Sequence, residues 1–547
     1  MGLASWQWTG RLRAGGAARA IQSAIGNRQS AIISLLLSAI LTGCHAPPHV
    51  LPFSQQVPID RSLMTCPAGF AVQPFIRDLT APTAMAWDTD GSLLVAEGGS
   101  YNDEPRIVGF KKDGSRFIVY PQGRQFPFDI GRKFFRLYGP IGGMLVYKGL
   151  IYVSHRDEDG YGQVSALDHK GGHRTIVAHL PAQGDFSVTD LAIDPRFNRL
   201  YFGLGAATNS GVVGLDNWEW VRDDPKVHDV PWPRLHLRGY RFDSYNPFSG
   251  LLGPPDKAVT GPFQPFNSAN ETEIEGNRFS NAAIYSCSPD GGDVRVEAHG
   301  IRCPRGITFN GSYFYFTNDG MTLRGTRPVK NDPDALLRLL PGQPWYGWPD
   351  YTTDLQPVWQ DPFQPAPDVD ISNTGYKRVL FVIDREATNL DPKNQSIELQ
   401  VPDPHTMVKG VFSPLSGAAK LDFVPASWPL PYRNKAVVAV SGDRAPFDTS
   451  GRPIMGAIGY KVVIVDTDRV QVSDFVRNTA GGPRSRIDSR NLNLIERPVD
   501  VKFGPDHTLY ILDAGHMQIR DGREQYDEGT GQIFRLVPET KPVMYHD

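Results

Sequence analysis

Three short stretches carry residue types that could do chemistry. In "VSHRDEDGYG" His155 precedes three carboxylates, Asp157, Glu158 and Asp159, and follows an apolar run with strand character. Nearby carboxylates raise the proton affinity of an imidazole, which makes His155 a candidate general base, although a solvated loop histidine has the same surroundings. In "QGDFSVTDLAIDP" an apolar Phe186 sits between Asp185 and Ser187, just ahead of a strand-and-turn signal. Asp185 suits a polar contact or a turn, whereas a phenyl ring has no lone pair with which to take a proton. In "GIRCPRGITF" Arg302 offers a planar guanidinium that can bind a carboxylate through two parallel hydrogen bonds. Other signals are negative. "DTDG" at 88 to 91 opens as a calcium loop would but lacks the bidentate Glu at its twelfth position, so a hairpin turn is expected there. No HExxH, GxSxG, P-loop or CxxCH occurs, and "GLGAAT" at 203 to 208 has no third glycine of a dinucleotide fingerprint.

These stretches need a scaffold, and the pattern around them is β. Six segments alternate apolar residues on both sides of an Asp, Asn, Gly or Pro turn: "AMAWDTDGSLLVAE", "GGMLVYKGLIYVSH", "DLAIDPRFNRLYFGLG", "GITFNGSYFYFTND", "KLDFVPASWPLPYRNKAVVAV" and "PVDVKFGPDHTLYILD". Each has the signature of a hairpin, and several are followed by a second strand pair, such as "PRIVGFKKDGSRFIVY". About four strands per repeat, without helical spacing between repeats, predict an all-β protein, a six-bladed β-propeller with long inserted loops. Its expected span is 66 to 540, with "FAVQPFIRD" at 70 to 78 completing the last blade. Two stretches rich in Pro, Asp and aromatics, about 206–280 and 345–419, read as insertions that form functional loops or lids. Within the second, Trp345, Tyr346 and Trp348 suit packing under a loop or a sugar-stacking platform. The chain has 547 residues and a formal net charge of -3, with no long block of like charge, which argues against a nucleic-acid partner and for a small neutral one.

The N-terminus points to export. Arg11, Arg13, Arg19 and Arg28 precede the apolar run 31–41, which is too short to span a bilayer comfortably and is followed by Cys44. "LTGC" at 41 to 44 resembles the lipobox of bacterial lipoproteins. It implies a signal peptide over 1–44, a lipid anchor on Cys44, a tether over 45–65 and an exported protein held at a bacterial membrane. Cys66, Cys287 and Cys303 could pair in such a compartment, but three cysteines leave one over and no bridge is assigned.

Beyond these signals, "GIRCPRGITF" with "PDALLRLLPGQPWYGWPDYT" at 333 to 352, and "YFGLGAATNSGVVG" at 201 to 214, resemble the glucose/sorbosone dehydrogenase family of soluble quinoproteins, in its lipoprotein branch. The resemblance implies a propeller that holds pyrroloquinoline quinone (PQQ) with calcium and oxidises a sugar hydroxyl by hydride transfer to the quinone. It implies that Asp185 and Arg302 touch the cofactor. It also implies that the carbonyls of Gly320 and Met321, supported by Asp334, face calcium. The family's catalytic His aligns with Phe186, its Asn with Cys303, its Glu with Ala335 and a second Asn with Leu337. A positioned base contributes about 100- to 10,000-fold, so a phenyl group in its place removes the reaction unless another base, His155 being the best substitute, takes over. A propeller that binds a carbohydrate or a protein partner without catalysis is the alternative expectation.

Overall fold

The computed structural model describes residues 46–99, 104–121, 135–246, 256–268, 270–342, 344–365, 379–394, 397–520 and 522–539, together with Ser249. The expected signal peptide and Cys44 lie outside the described residues. No helix among those described is long and apolar enough to cross a membrane.

Six antiparallel sheets form six blades. Blade 1 runs Pro82–Trp87, Leu93–Glu97, Arg106–Phe110, Arg116–Tyr120, and blade 2 runs Tyr138–Tyr147, Leu150–Arg156, Gly162–Leu167, His173–Leu180. Blade 3 runs Val188–Asp194, Arg199–Leu204, Ala283–Cys287, Arg295–His299, and blade 4 runs Ile307–Asn310, Tyr313–Asn318, Pro333–Arg338, Val408–Pro414. Blade 5 is Ala418–Phe423, Ala436–Val440, Lys461–Asp466, Gln471–Asn478. Blade 6 combines Pro498–Phe503, Leu509–Asp513 and Gly531–Pro538 with the early strand Phe70–Leu79, so the two ends of the propeller share one sheet. All six expected hairpins are the two inner strands of a blade.

The packing explains why the second strands are apolar on both faces. Leu93–Glu97, Ala436–Val440 and Leu509–Asp513 are buried at every position, because each blade is covered by a neighbour on either side. Six apolar clusters fill the six interfaces between successive blades, the last joining blade 6 to blade 1 around Met85, Val95, Leu512 and Ile533. Near the axis the backbones come too close for side chains. A Cβ on Gly142 would meet the Val188 carbonyl of the next inner strand, and one on Gly306 would stand 2.5 Å from the Cα of Lys420.

Two boundaries differ from expectation. The stretch expected as a tether is largely part of the propeller: His49–Val50 pairs with the edge of blade 6, Met64–Thr65 pairs with blade 5, and Leu51, Ile59 and Met64 are buried. Paired backbone and buried apolar side chains outweigh the Pro-rich composition that suggested a linker. The second insertion, expected over 345–419, occupies 339–407 between the third and fourth strands of blade 4, since Val408–Pro414 closes that blade. The first lies between the second and third strands of blade 3. Both insertions contribute to one apolar cluster that includes Val212, Phe242, Trp345, Trp348, Val358 and Val382. Trp345, Tyr346 and Trp348 are all buried, so packing is their role. "DTDG" forms the expected turn, with Gly91 N–H donating to Asp88 O at 3.0 Å.

Candidate functional site at the axial mouth

The loop before blade 3 and the segment leading into blade 4 meet at one end of the axis, where the Phe186 ring lies under the Arg302 guanidinium at 4.9 Å. Arg444, from the loop after Ala436–Val440, stacks on the same ring at 5.7 Å. Phe186 thus meets two cations, each attracted to the electron-rich ring. Around it runs a chain of ion pairs. Arg324 contacts Asp185, stands 3.0 Å from Asp216 and 3.6 Å from Asp448, and Arg444 reaches Asp448 at 2.9 Å and Glu524 at 3.6 Å. Arg305 meets Asp319 at 3.3 Å. Burial raises Asp216 and Asp319 to about 6 despite their arginine partners. At Asp448 burial also works upward, but Arg444 and Arg324 outweigh it and hold the carboxyl below its usual range.

Two cavities adjoin this network. The axial one, about 160 Å³, is walled by inner-strand residues of five blades, among them Thr83, Gly142, Thr189 and Val499, and by Cys303 and Arg305 from the segment leading into blade 4. Its floor is Lys420, whose Nζ crosses from blade 5 to donate to Thr83 O of blade 1 at 2.6 Å and Gly142 O of blade 2 at 2.7 Å. A larger hollow of about 790 Å³ lies beside it, with Arg324, Arg444 and Phe447 common to both linings. The hairpin Met517–Arg520 and Arg523–Tyr526 roofs this region and reaches the helix Trp218–Asp223 of the blade 3 insertion. There Arg523 bonds Asp223 at 2.6 Å and stacks on Trp220 at 4.4 Å.

The expected site residues fare differently. Asp185 lines the axial cavity, but its carboxylate is held by Arg324 and, at 3.4 Å, by the Asn217 amide. Arg302 is at the mouth yet wholly buried, and its donors point away from the cavity. Nε bonds Asn209 O at 3.0 Å, Nη1 bonds Gly320 O at 2.6 Å, and Nη2 bonds the Asn209 side-chain oxygen at 3.2 Å. His155 is not a base at this site. It is fully buried within the second strand of blade 2, bonded to Arg156 O and Ser165 Oγ, and burial lowers it to about 4. The adjoining carboxylates that suggested the opposite shift lie in the following turn, while the strand carries the imidazole inward.

The residues expected to hold calcium do not fit that ion. The Gly320 carbonyl accepts from Arg302, so a guanidinium already stands at the oxygen assigned to the metal. Asp334 accepts from Gly320 N at 2.8 Å, Ser416 Oγ at 2.8 Å and Ala418 N at 3.0 Å, which makes it a staple between blades 4 and 5. Met321 is buried, and its N–H donates to Asp332 at 2.7 Å. Among the described residues no group of three or more His, Cys, Asp or Glu is arranged to hold a metal ion. Asp185 and Arg302, expected to touch PQQ, are bonded to protein partners in this structure.

Sequence reasoning missed Arg324, Arg444, Phe447, Trp220 and the roofing hairpin. All lie in insertions or connections, where no periodicity marks them. The one available signal was the position of "SGDRAPFD" directly after an inner hairpin.

No protein-family model and no curated protein matches the chain. Several solved structures are similar to it. One is a Trichoderma reesei carbohydrate-active enzyme of family AA12, 13% identical with a TM-score of 0.48, covering 87% of this chain and 98% of that one. Another is the PQQ domain of pyranose dehydrogenase from Coprinopsis cinerea, 16% identical with a TM-score of 0.45, covering 88% and 98%. A third is the PQQ-bound aldose sugar dehydrogenase of Streptomyces coelicolor, 13% identical with a TM-score of 0.43, covering 86% and 99%.

Proposed function

We propose that this propeller binds a small hydroxylated ligand of the carbohydrate class beside its axial mouth and does not oxidise it. The observation that supports the reading is the Phe186 ring, under the guanidiniums of Arg302 and Arg444, at the position where the family resemblance would have its catalytic base. A phenyl ring has no proton acceptor and cannot take the hydroxyl proton that must leave as hydride departs. The neighbouring hollow of about 790 Å³ has the size of a small-molecule site, and its arginines supply hydrogen-bond donors. Export and anchoring through Cys44 complete the proposal, and would put the mouth in contact with solutes outside the cytoplasm.

The test is calorimetric titration of the purified protein with a panel of sugars, paired with dye reduction after incubation with PQQ and calcium. Binding without turnover is expected. Sugar-dependent dye reduction by the wild-type protein overturns the non-oxidising reading. Absence of binding by any sugar overturns the carbohydrate reading.

A further inference from the structure

The large hollow beside the axis hides its anions and exposes one of its arginines, Arg486. Glu496 accepts from Ser485 N and Oγ, both at 2.7 Å, and the Asp443 side chain is 0% exposed, receiving Ile458 N and Arg486 Nη2 at 3.3 Å. Asp216 is turned to Arg324. Among the arginines, Arg324, Arg444 and Arg497 are committed to protein partners, Arg497 through carbonyls of Ser441, Gly442 and Asp443.

Arg486 is different. Its side chain is 46% exposed, and its two hydrogen bonds, to Gly456 O and Asp443, are both long at 3.3 Å. Its guanidinium lies over the Tyr460 ring at 5.6 Å, which orients the fork while leaving donors uncommitted. His516 lines the same hollow, held through Nδ1 by Asp527 at 2.7 Å, and Nε2 bonds to nothing among the described residues. Phe447, Met517 and Ile519 add an apolar surface.

We propose that this hollow selects acidic carbohydrates, sugars carrying a carboxylate such as uronates or aldonates, with Arg486 as the residue that reads the carboxylate. The inference rests on the carbohydrate reading above and narrows it. A planar carboxylate matches the guanidinium fork, and the volume holds a whole sugar ring rather than a bare anion. The C–H face of such a ring suits the Phe447 wall, and its hydroxyls suit His516.

Titration calorimetry with glucuronate and glucose on the full-length protein tests it. Glucuronate is expected to bind about tenfold or more tightly than glucose at low salt, with the preference shrinking as salt is added. Arg486→Ala is expected to bring glucuronate down to the level of glucose, and Arg486→Lys to restore part of the difference. Equal binding of the two sugars to the wild-type protein, or an undiminished preference in Arg486→Ala, overturns the acidic-ligand inference and leaves carbohydrate binding standing. Failure of both sugars to bind overturns the two together. Because Arg486→Ala also removes the ion-pair partner of the buried Asp443, a cooperative melting transition above the assay temperature identifies a folded variant, and Arg486→Lys keeps a cation at that carboxylate.

Discussion

Replacement of Phe186 by leucine isolates the physics on which the mouth depends. The ring is 9% exposed and touches two guanidinium groups, at 4.9 Å and 5.7 Å. Leucine keeps most of the apolar volume but has no quadrupole. Two partly desolvated cation–π contacts are worth about 0.5 to 2 kcal/mol each, so the substitution is expected to cost about 1 to 4 kcal/mol. Phe186→Ala adds the lost transfer energy and a cavity, for a total of about 3 to 5 kcal/mol. Equilibrium denaturation in urea, followed by tryptophan fluorescence and far-ultraviolet circular dichroism, measures both. The ordering wild type, Leu, Ala is expected. If Phe186→Leu costs less than about 0.5 kcal/mol while Phe186→Ala costs the full amount, the ring is plain apolar filling and the two cation–π contacts have no energetic role.

Other substitutions probe the ring, its histidine and its thiols. Lys420→Met strands the Thr83 and Gly142 carbonyls and leaves Lys502 as the cation near Asp190 and Asp500, a loss of about 1 to 3 kcal/mol for each stranded carbonyl, measurable as a reduced urea midpoint. His155 stays neutral in the fold down to about pH 4, whereas in the unfolded chain it takes a proton below 6.5. In that window the unfolded state binds the extra proton, so the stability contributed by His155 is lost as pH falls. The gap between wild type and His155→Gln is therefore expected to narrow by about 1.4 kcal/mol per pH unit below 6.5, and a pH-independent gap refutes the assignment. Cys287 and Cys303 are free, buried thiols, pushed upward by burial, Cys287 to about 12, and Cys66 is half-buried. Ellman's reagent is expected to modify neither buried thiol until denaturant is added, and rapid labelling of either in the native protein contradicts this packing. Cys44→Ala is expected to release the protein from membranes into the soluble fraction of its host, as followed by immunoblotting; unchanged membrane association removes the lipid-anchor proposal.

Much of the ring was legible because it rests on local rules. Alternation around short turns identifies a hairpin wherever it occurs, and six such hairpins with room for outer strands have one economical way to bury both faces. The early strand could be expected to complete the last blade, and the pairing of Phe70–Leu79 with Gly531–Pro538 in the structure is what closes the ring. Sequence also determined that residue 186 has no proton acceptor, since that is a property of the side chain itself.

What the neighbouring groups do with their charges was decided by tertiary structure alone. Arg302 is equally able to grip a ligand or a set of carbonyls, and only the approach of Asn209 and Gly320, 93 and 18 residues away in sequence, commits it to the second. His155 acquires its burial from blade packing, which reverses the shift that its sequence neighbours suggest. The arginines of the mouth come from three separate connections and one insertion-clamped hairpin, and their pairing depends on distances that no periodicity encodes. Local pattern sets which strands form because backbone pairing and side-chain alternation act over a few residues. Charge partners are set by the closed ring, because Coulomb and hydrogen-bond energies depend on separation in space and on exclusion of water.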